Sequence, residues 1–142
     1  MYANGDDVIF VAAGGTGNGV FAQAKALNQR RDAADKVWVI GVDRDQKSDG
    51  NYRDRNNRSS NFTLASAVKE VGQSVYTVSN QARTGKFPGG KVVSFGFKEH
   101  GVYLAKDSMS DQIYRDVAAA QRRIQSGQVK VPNKPTTYAS VQ

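Results

Sequence analysis

The chain has 142 residues, with 20 Lys and Arg against 13 Asp and Glu, a single histidine and no cysteine. That length suits one ordinary domain with its own core, and the lack of cysteine excludes disulfides and thiolate chemistry. His100 alone leaves no His and Cys cluster for a metal, while the net charge of +7 favours acidic partners. The basic residues are scattered. The tightest groups are Arg30 and Arg31, the run 53–58, and Arg122 and Arg123, so the reading is a soluble surface with a positive bias. No apolar run approaches the ~20 residues of a membrane span, and no leader pattern opens the chain.

Residues 7–13, DVIFVAA, form a β-branched and aromatic run that reads as a buried strand. Residues 19–29 read as a helix with Val20, Ala24 and Leu27 on its inner face. Residues 36–43, KVWVIGVD, are a second apolar strand. Strand, glycine turn, helix and strand make a βαβ unit, and a parallel sheet is expected. The stretch 45–61 has almost no apolar residue and reads as a solvated loop. Residues 62–68 follow as a strand or extended crossover.

From residue 69 to 83, Val71, Val75, Val78 and Ala82 fall at spacings of four, three and four, a helical stripe. Gly85 ends it, and Pro88, Gly89 and Gly90 make a turn. Residues 91–97, KVVSFGF, and 101–105 read as strands. A helix is expected from Ser108, with Met109, Ile113, Val117, Ala120 and Ile124 as its buried face and Gly127 as its stop. The fold class is therefore α/β with a parallel sheet, one domain over 1–128 and an extended tail over 129–142.

The turn after the first strand, Val11 to Phe21 (VAAGGTGNGVF), packs four glycines into six residues. Such a turn lets a ligand approach the backbone, and the helix behind it offers free N–H groups. Gly15 and Gly17 begin a dinucleotide fingerprint, and Asp43 ends the next strand where a ribose-binding acid would sit. Val20 occupies the last glycine position, which counts against an NAD(P)-binding oxidoreductase. A short-chain reductase needs Lys four residues after Tyr, and no tyrosine here has one. A P-loop needs Gly-Lys-Ser/Thr where the sequence reads Gly19, Val20, Phe21. His100 lies in a turn, where a solvated residue is expected rather than a catalytic one. Gly15, Thr16 and Gly17 are read as a ligand-facing turn. Phe21 is suited to stacking on a flat ring and Asp43 to accepting hydrogen bonds from hydroxyls. That set suits holding a nucleoside rather than transforming it.

Five blocks in order carry a more specific likeness: DVIFVAAGGTGNGVF, VWVIGVDRDQ, SAVKEVGQSVY, GKFPGGKVVSFGFKEHGVYLA and RRIQSGQVKVP. The sequence resembles the basic membrane protein family of purine-nucleoside-receptor-like lipoproteins, substrate-binding components of ABC transporters. The resemblance covers nearly the whole chain but only the C-terminal half of the family. It implies one lobe of a type I periplasmic-binding-protein fold, no enzyme activity and no cofactor. It further implies a nucleoside ligand, an ABC permease partner and a place on the outer face of the bacterial membrane. No nucleic-acid partner is implied. Phe21 matches the family aromatic that stacks on the base, Asp43 the acid that accepts ribose hydroxyls, and Lys69 the lysine that reaches the base. The N-terminal lobe and the lipid-attachment cysteine are missing. The helix over 69–85 then lacks its usual cover, and a homodimer through it, or a fold back onto its own sheet, is expected. Nucleoside binding by the chain alone is expected to be weak or undetectable.

Overall fold

A computed structural model describes residues 1–132. It falls into two units, one of Met1–Ser110 and one that begins at Asp111. The expected tail lies outside the described residues from position 133 onward.

The first unit is built on a four-stranded sheet. Strand β1 is Val8–Phe10 and β2 is Trp38–Asp43, joined by helix α1, Gly17–Asn28. A two-stranded ribbon follows, β3 at Asn51–Arg53 and β4 at Ser59–Asn61, then β5 at Thr63–Lys69 and, after helix α2 at Val71–Arg83, β6 at Val102–Ala105. The sheet order is β1-β2-β5-β6. β1, β2 and β5 run parallel, and β6 is antiparallel to β5. The expected βαβ unit is therefore present, with β1 shorter than the apolar run 7–13.

The core lies between α1 and the sheet, where Ile9, Val11, Phe21, Ala24, Val37, Val39, Tyr52 and Phe62 are all buried. Asn28 is fully buried at the end of α1. Its amide donates to Val37 O at 2.9 Å and its Oδ1 accepts from Val37 N at 2.8 Å, so this buried polar group is satisfied and pins α1 to the start of β2.

Several expectations change. The buried face of α1 is Gly17, Phe21, Ala24 and Asn28, rotated from the expected Val20, Ala24 and Leu27. The stretch 45–61 is ordered rather than a solvated loop. It holds a short 3-10 turn at Lys47–Gly50 and the β3–β4 ribbon. Tyr52 enters the core there, with its ring centroid 5.7 Å from that of Phe62. Asp54 is buried as well and ties the ribbon's turn, its Oδ1 accepting from Asn56 N at 2.9 Å and Arg58 N at 2.8 Å. These bonds, Arg58's first, hold its carboxyl below the usual carboxylate range against the opposing effect of burial.

Residues 91–97 do not form the expected strand. No strand among the described residues lies beside them to complete a ladder, and Val92 is 99% exposed. Helix α2 begins two residues later than expected because Lys69 still pairs with Val102 in the sheet. None of its residues is buried. The stripe has the expected period, but it does not fold back onto its own sheet.

In the second unit, helix α3 spans Asp111–Gln125 and buries none of its residues. Of its expected inner face, only Met109 is buried, and it precedes the helix. Gly127 takes a left-handed φ of 80° just beyond the end, as a helix stop does.

Candidate ligand site at the strand ends

The C-terminal ends of β1, β2 and β5 converge, the usual place for a ligand in an open α/β sheet. The glycine turn leaves β1 there. Gly14 has φ 52°, in the left-handed region that favours glycine. Residues Gly14–Thr16 form a 3-10 turn that runs into α1 at Gly17. A Cβ on Gly17 would stand 2.5 Å from Val11 Cγ1. Gly17 thus performs the close helix–strand packing that the dinucleotide fingerprint assigns to its last glycine, and Val20 is left outside that contact. No side chain caps the start of α1.

Two hollows meet at this end. A shallow cleft of about 280 Å³ is lined by Gly14, Gly15, Gly17, Asn18, Asp43 and Gln46, among others. A larger cavity of about 480 Å³ lies beside it, walled by Phe10, Ala67, Phe97, Tyr103 and Leu104, with Asp43 and Lys69 among its lining. Gly14, Val42 and Asp43 border both. Lys69 Nζ lies 2.7 Å from Asp43 Oδ1, and their side chains are 65% and 52% exposed. An ion pair this exposed contributes little to stability, so a ligand that takes over either partner loses little by doing so.

Asp43 has an unusual backbone. Its φ is 71°, and Arg44 N donates to Val42 O at 2.9 Å across it. A bond from one residue to the second one back, spanning a positive φ, makes a γ-turn of the rare, strained kind. Strain of this sort is held by surrounding structure and clusters at ligand sites.

Of the six residues expected at the site, Gly15, Gly17, Asp43 and Lys69 gather at this end of the sheet. Phe21 does not. It is buried in the core with its ring centroid 5.9 Å from that of Phe62, because the contact of Gly17 with Val11 turns that face of α1 inward. Thr16 faces a separate recess with Tyr2 and Val20. The aromatics actually presented to the cavity are Phe10, which is 57% exposed, Phe97 and Tyr103. Strand alternation in DVIFVAA signals Phe10, since Ile9 and Val11 take the opposite, buried face. Below the site Ser66 Oγ donates to Asp107 Oδ2 at 2.8 Å. Burial pushes the Asp107 carboxyl above its ordinary range, with the Ser66 bond opposing the rise and Asp45 adding to it. His100 is exposed in its turn, with φ 54°.

The family described as ABC transporter substrate-binding protein PnrA-like matches residues 1–135. The chain belongs to this family. Among similar relatives, the ABC transporter nucleoside-binding protein BmpA of Lactococcus lactis subsp. cremoris is 47% identical over 134 residues, covering 94% of this chain and 38% of its own length. The CD4+ T-cell-stimulating antigen of Listeria monocytogenes is 43% identical over 95% of this chain and 38% of its own. Basic membrane protein D of Borreliella burgdorferi is 34% identical over 97% and 38%. The chain thus spans about two fifths of the length of these family members.

A solved solute-binding protein of an ABC transporter system from Aeropyrum pernix superimposes with a TM-score of 0.66 at 22% identity, over 97% of this chain and 43% of that one. Another, from Conexibacter woesei, gives 0.57 at 19% identity, over 93% and 39%. The fold is accordingly one lobe of an α/β solute-binding protein, and the oxidoreductase alternative draws no support from these matches. Among the described residues no helix is long and apolar enough to cross a membrane.

Proposed function

We propose that the chain supplies one wall of a nucleoside-binding cleft in the substrate-binding component of an ABC importer. The observation that carries this reading is the Asp43–Lys69 pair, 2.7 Å apart on neighbouring strand ends beside an open glycine turn and an apolar cavity. Asp43 accepts hydrogen bonds from ribose hydroxyls, and Lys69, released from Asp43, reaches the base. Phe10 and Tyr103, rather than Phe21, offer the base an aromatic surface. Gly17 N already donates to Gly14 O and Gly15 O, so the N–H groups that follow it in the first turn of α1 are the donors for polar atoms of the ligand. The nucleoside-binding name of the Lactococcus lactis relative supports the ligand class. The site holds a ligand and performs no chemistry on it, and a permease is the partner that takes the ligand onward at the outer face of the cell membrane.

The excursion between β5 and β6 belongs to the other wall. It leaves at Glu70 and returns at Gly101, where Glu70 N donates to Gly101 O at 2.8 Å. Between those points Val71, Val75 and Tyr76 are 63%, 59% and 67% exposed. The remainder of a full-length family member covers this face. In the chain alone a second copy covers it, and sedimentation should then show a dimer that Val75→Asp dissociates. A monomer with α2 intact would refute the pairing.

One wall alone leaves a face of the base in water, so affinity is low. Calorimetric titration with inosine, adenosine and guanosine should give no submicromolar binding. Submicromolar affinity would show that one lobe suffices.

A further inference from the structure

The strained turn at Asp43 has to be held by something, and the bonds around it converge on Gln46. Its Oε1 accepts from Val42 N at 2.9 Å. That donor is the next one along the edge of β2 beyond the last bond from β1, Val11 N to Ile40 O at 3.0 Å. The Gln46 side chain therefore caps the strand where β1 gives out. It lies so close to the backbone that a Cβ on Gly41 would stand 2.6 Å from Oε1 and 3.0 Å from Gln46 Cβ. Its own main chain is anchored in turn. Gln46 N donates to Ser66 Oγ at 3.0 Å, and Thr63 Oγ1 donates to Gln46 O at 3.1 Å. Thr63 and Ser66 are both fully buried in β5. On the outer side Gln46 Nε2 donates to Asp49 Oδ2 at 3.1 Å, the oxygen that also receives Arg44 Nη2 at 2.7 Å.

We infer that Gln46 is a positioning residue for Asp43, a latch between β2 and β5 that fixes the γ-turn presenting the Asp43 carboxylate to the ligand. The bond to Val42 N and the contact with Gly41 fix one side of the turn, and the bonds to Thr63 and Ser66 fix the latch itself. Without the side chain, Val42 N–H loses its acceptor and the packing beside Gly41 is lost, which weakens the hold that keeps Asp43 out of the extended region, where an aspartate is unstrained. The carboxylate then points elsewhere for much of the time, and affinity falls by the fraction of time it is misplaced.

The ligand part of this inference rests on the nucleoside reading of Asp43, but the latch is measurable without ligand. In the labelled full chain, the amide–Hα coupling and Hα shift of Asp43 report its φ by NMR. Gln46→Met fills the space beside Gly41 but removes the acceptor, and Gln46→Ala removes both. In Gln46→Met the left-handed signature of Asp43 should be lost while the thermal midpoint stays within a few degrees, and millimolar inosine should bind about tenfold more weakly. If Gln46→Ala fails to fold, Gln46→Met decides. An unchanged Asp43 signature in Gln46→Met overturns the latch, and a lost signature with unchanged inosine affinity overturns its positioning role. If wild type shows no response to millimolar inosine while the Asp43 signature still depends on Gln46, the latch stands and nucleoside binding by this wall on its own falls.

Discussion

Residues 8–69 and residues 70–101 both carry patterns that read as strands and helices, yet the buried core cluster draws on the first stretch alone. In the sheet half, Val39 and Phe62 are wholly buried and α1 lays Phe21 and Ala24 onto β1 and β2. In the excursion, α2 repeats Val71, Val75 and Val78 at helical spacing yet leaves Val71 and Val75 exposed and Val78 only half-buried, and Val92 and Val93 are exposed. Periodicity specifies an element, while burial depends on whether a second layer is present. The chain spans 38% of the length of the Lactococcus lactis relative, and on the reading proposed above the cover of α2 comes from outside the single chain.

The largest test of that contrast is Phe62→Ala against Val75→Ala. Phe62 touches both Phe21 and Tyr52, and its truncation should cost about 3–5 kcal/mol in denaturant unfolding. Val75→Ala should change stability by less than about 0.5 kcal/mol when unfolding is followed on dilute, monomeric chain. Comparable losses at the two sites in the monomer would mean that α2 is packed against its own chain.

A smaller effect separates the polar ribbon from the solvated loop it resembles. The folded state holds the Asp54 carboxyl low through backbone donors. Its stabilisation is therefore present above the unfolded carboxylate pKa and is lost as pH falls through the depressed folded value. Asp54→Ala should lower the denaturation midpoint at neutral pH, and the two proteins should converge in acid. Parallel curves at every pH would deny the carboxylate that role.

A small effect is also expected at Lys69. Removing a partner from a pair so exposed should shift stability by less than about 1 kcal/mol. A larger loss in Lys69→Ala, read by thermal unfolding, would make the pair a structural strut rather than a ligand-facing one.

The βαβ unit and the helices were legible because apolar runs bounded by glycine leave few alternatives, whereas residues 91–97, just as apolar, find no neighbouring strand among the described residues. The region 45–61 was illegible because its two buried anchors, Tyr52 and Asp54, sit among charged and polar neighbours. Asp54 is buried by virtue of its backbone bonds, which composition does not reveal. Of the expected site residues, Asp43 was expected at a strand end and Lys69 on the family likeness alone, and the structure brings the two together as an ion pair. Phe21 lies in the core rather than at the strand ends, because the contact of Gly17 with Val11 fixes which side of α1 faces in, a phase the sequence pattern does not reveal. Gln46 was missed because its role depends on the γ-turn at Asp43, a backbone feature without a residue signature.

On the proposed reading, the strand ends carrying Asp43 and Lys69 form the ligand wall. Titrating the isotope-labelled chain with inosine and following amide shifts tests it most directly. The expected result is weak, saturable change centred on Gly14, Gly15, Asp43 and Lys69, abolished in Asp43→Asn. Changes centred on the recess around Thr16 and Val20, or the same map in Asp43→Asn, would contradict it.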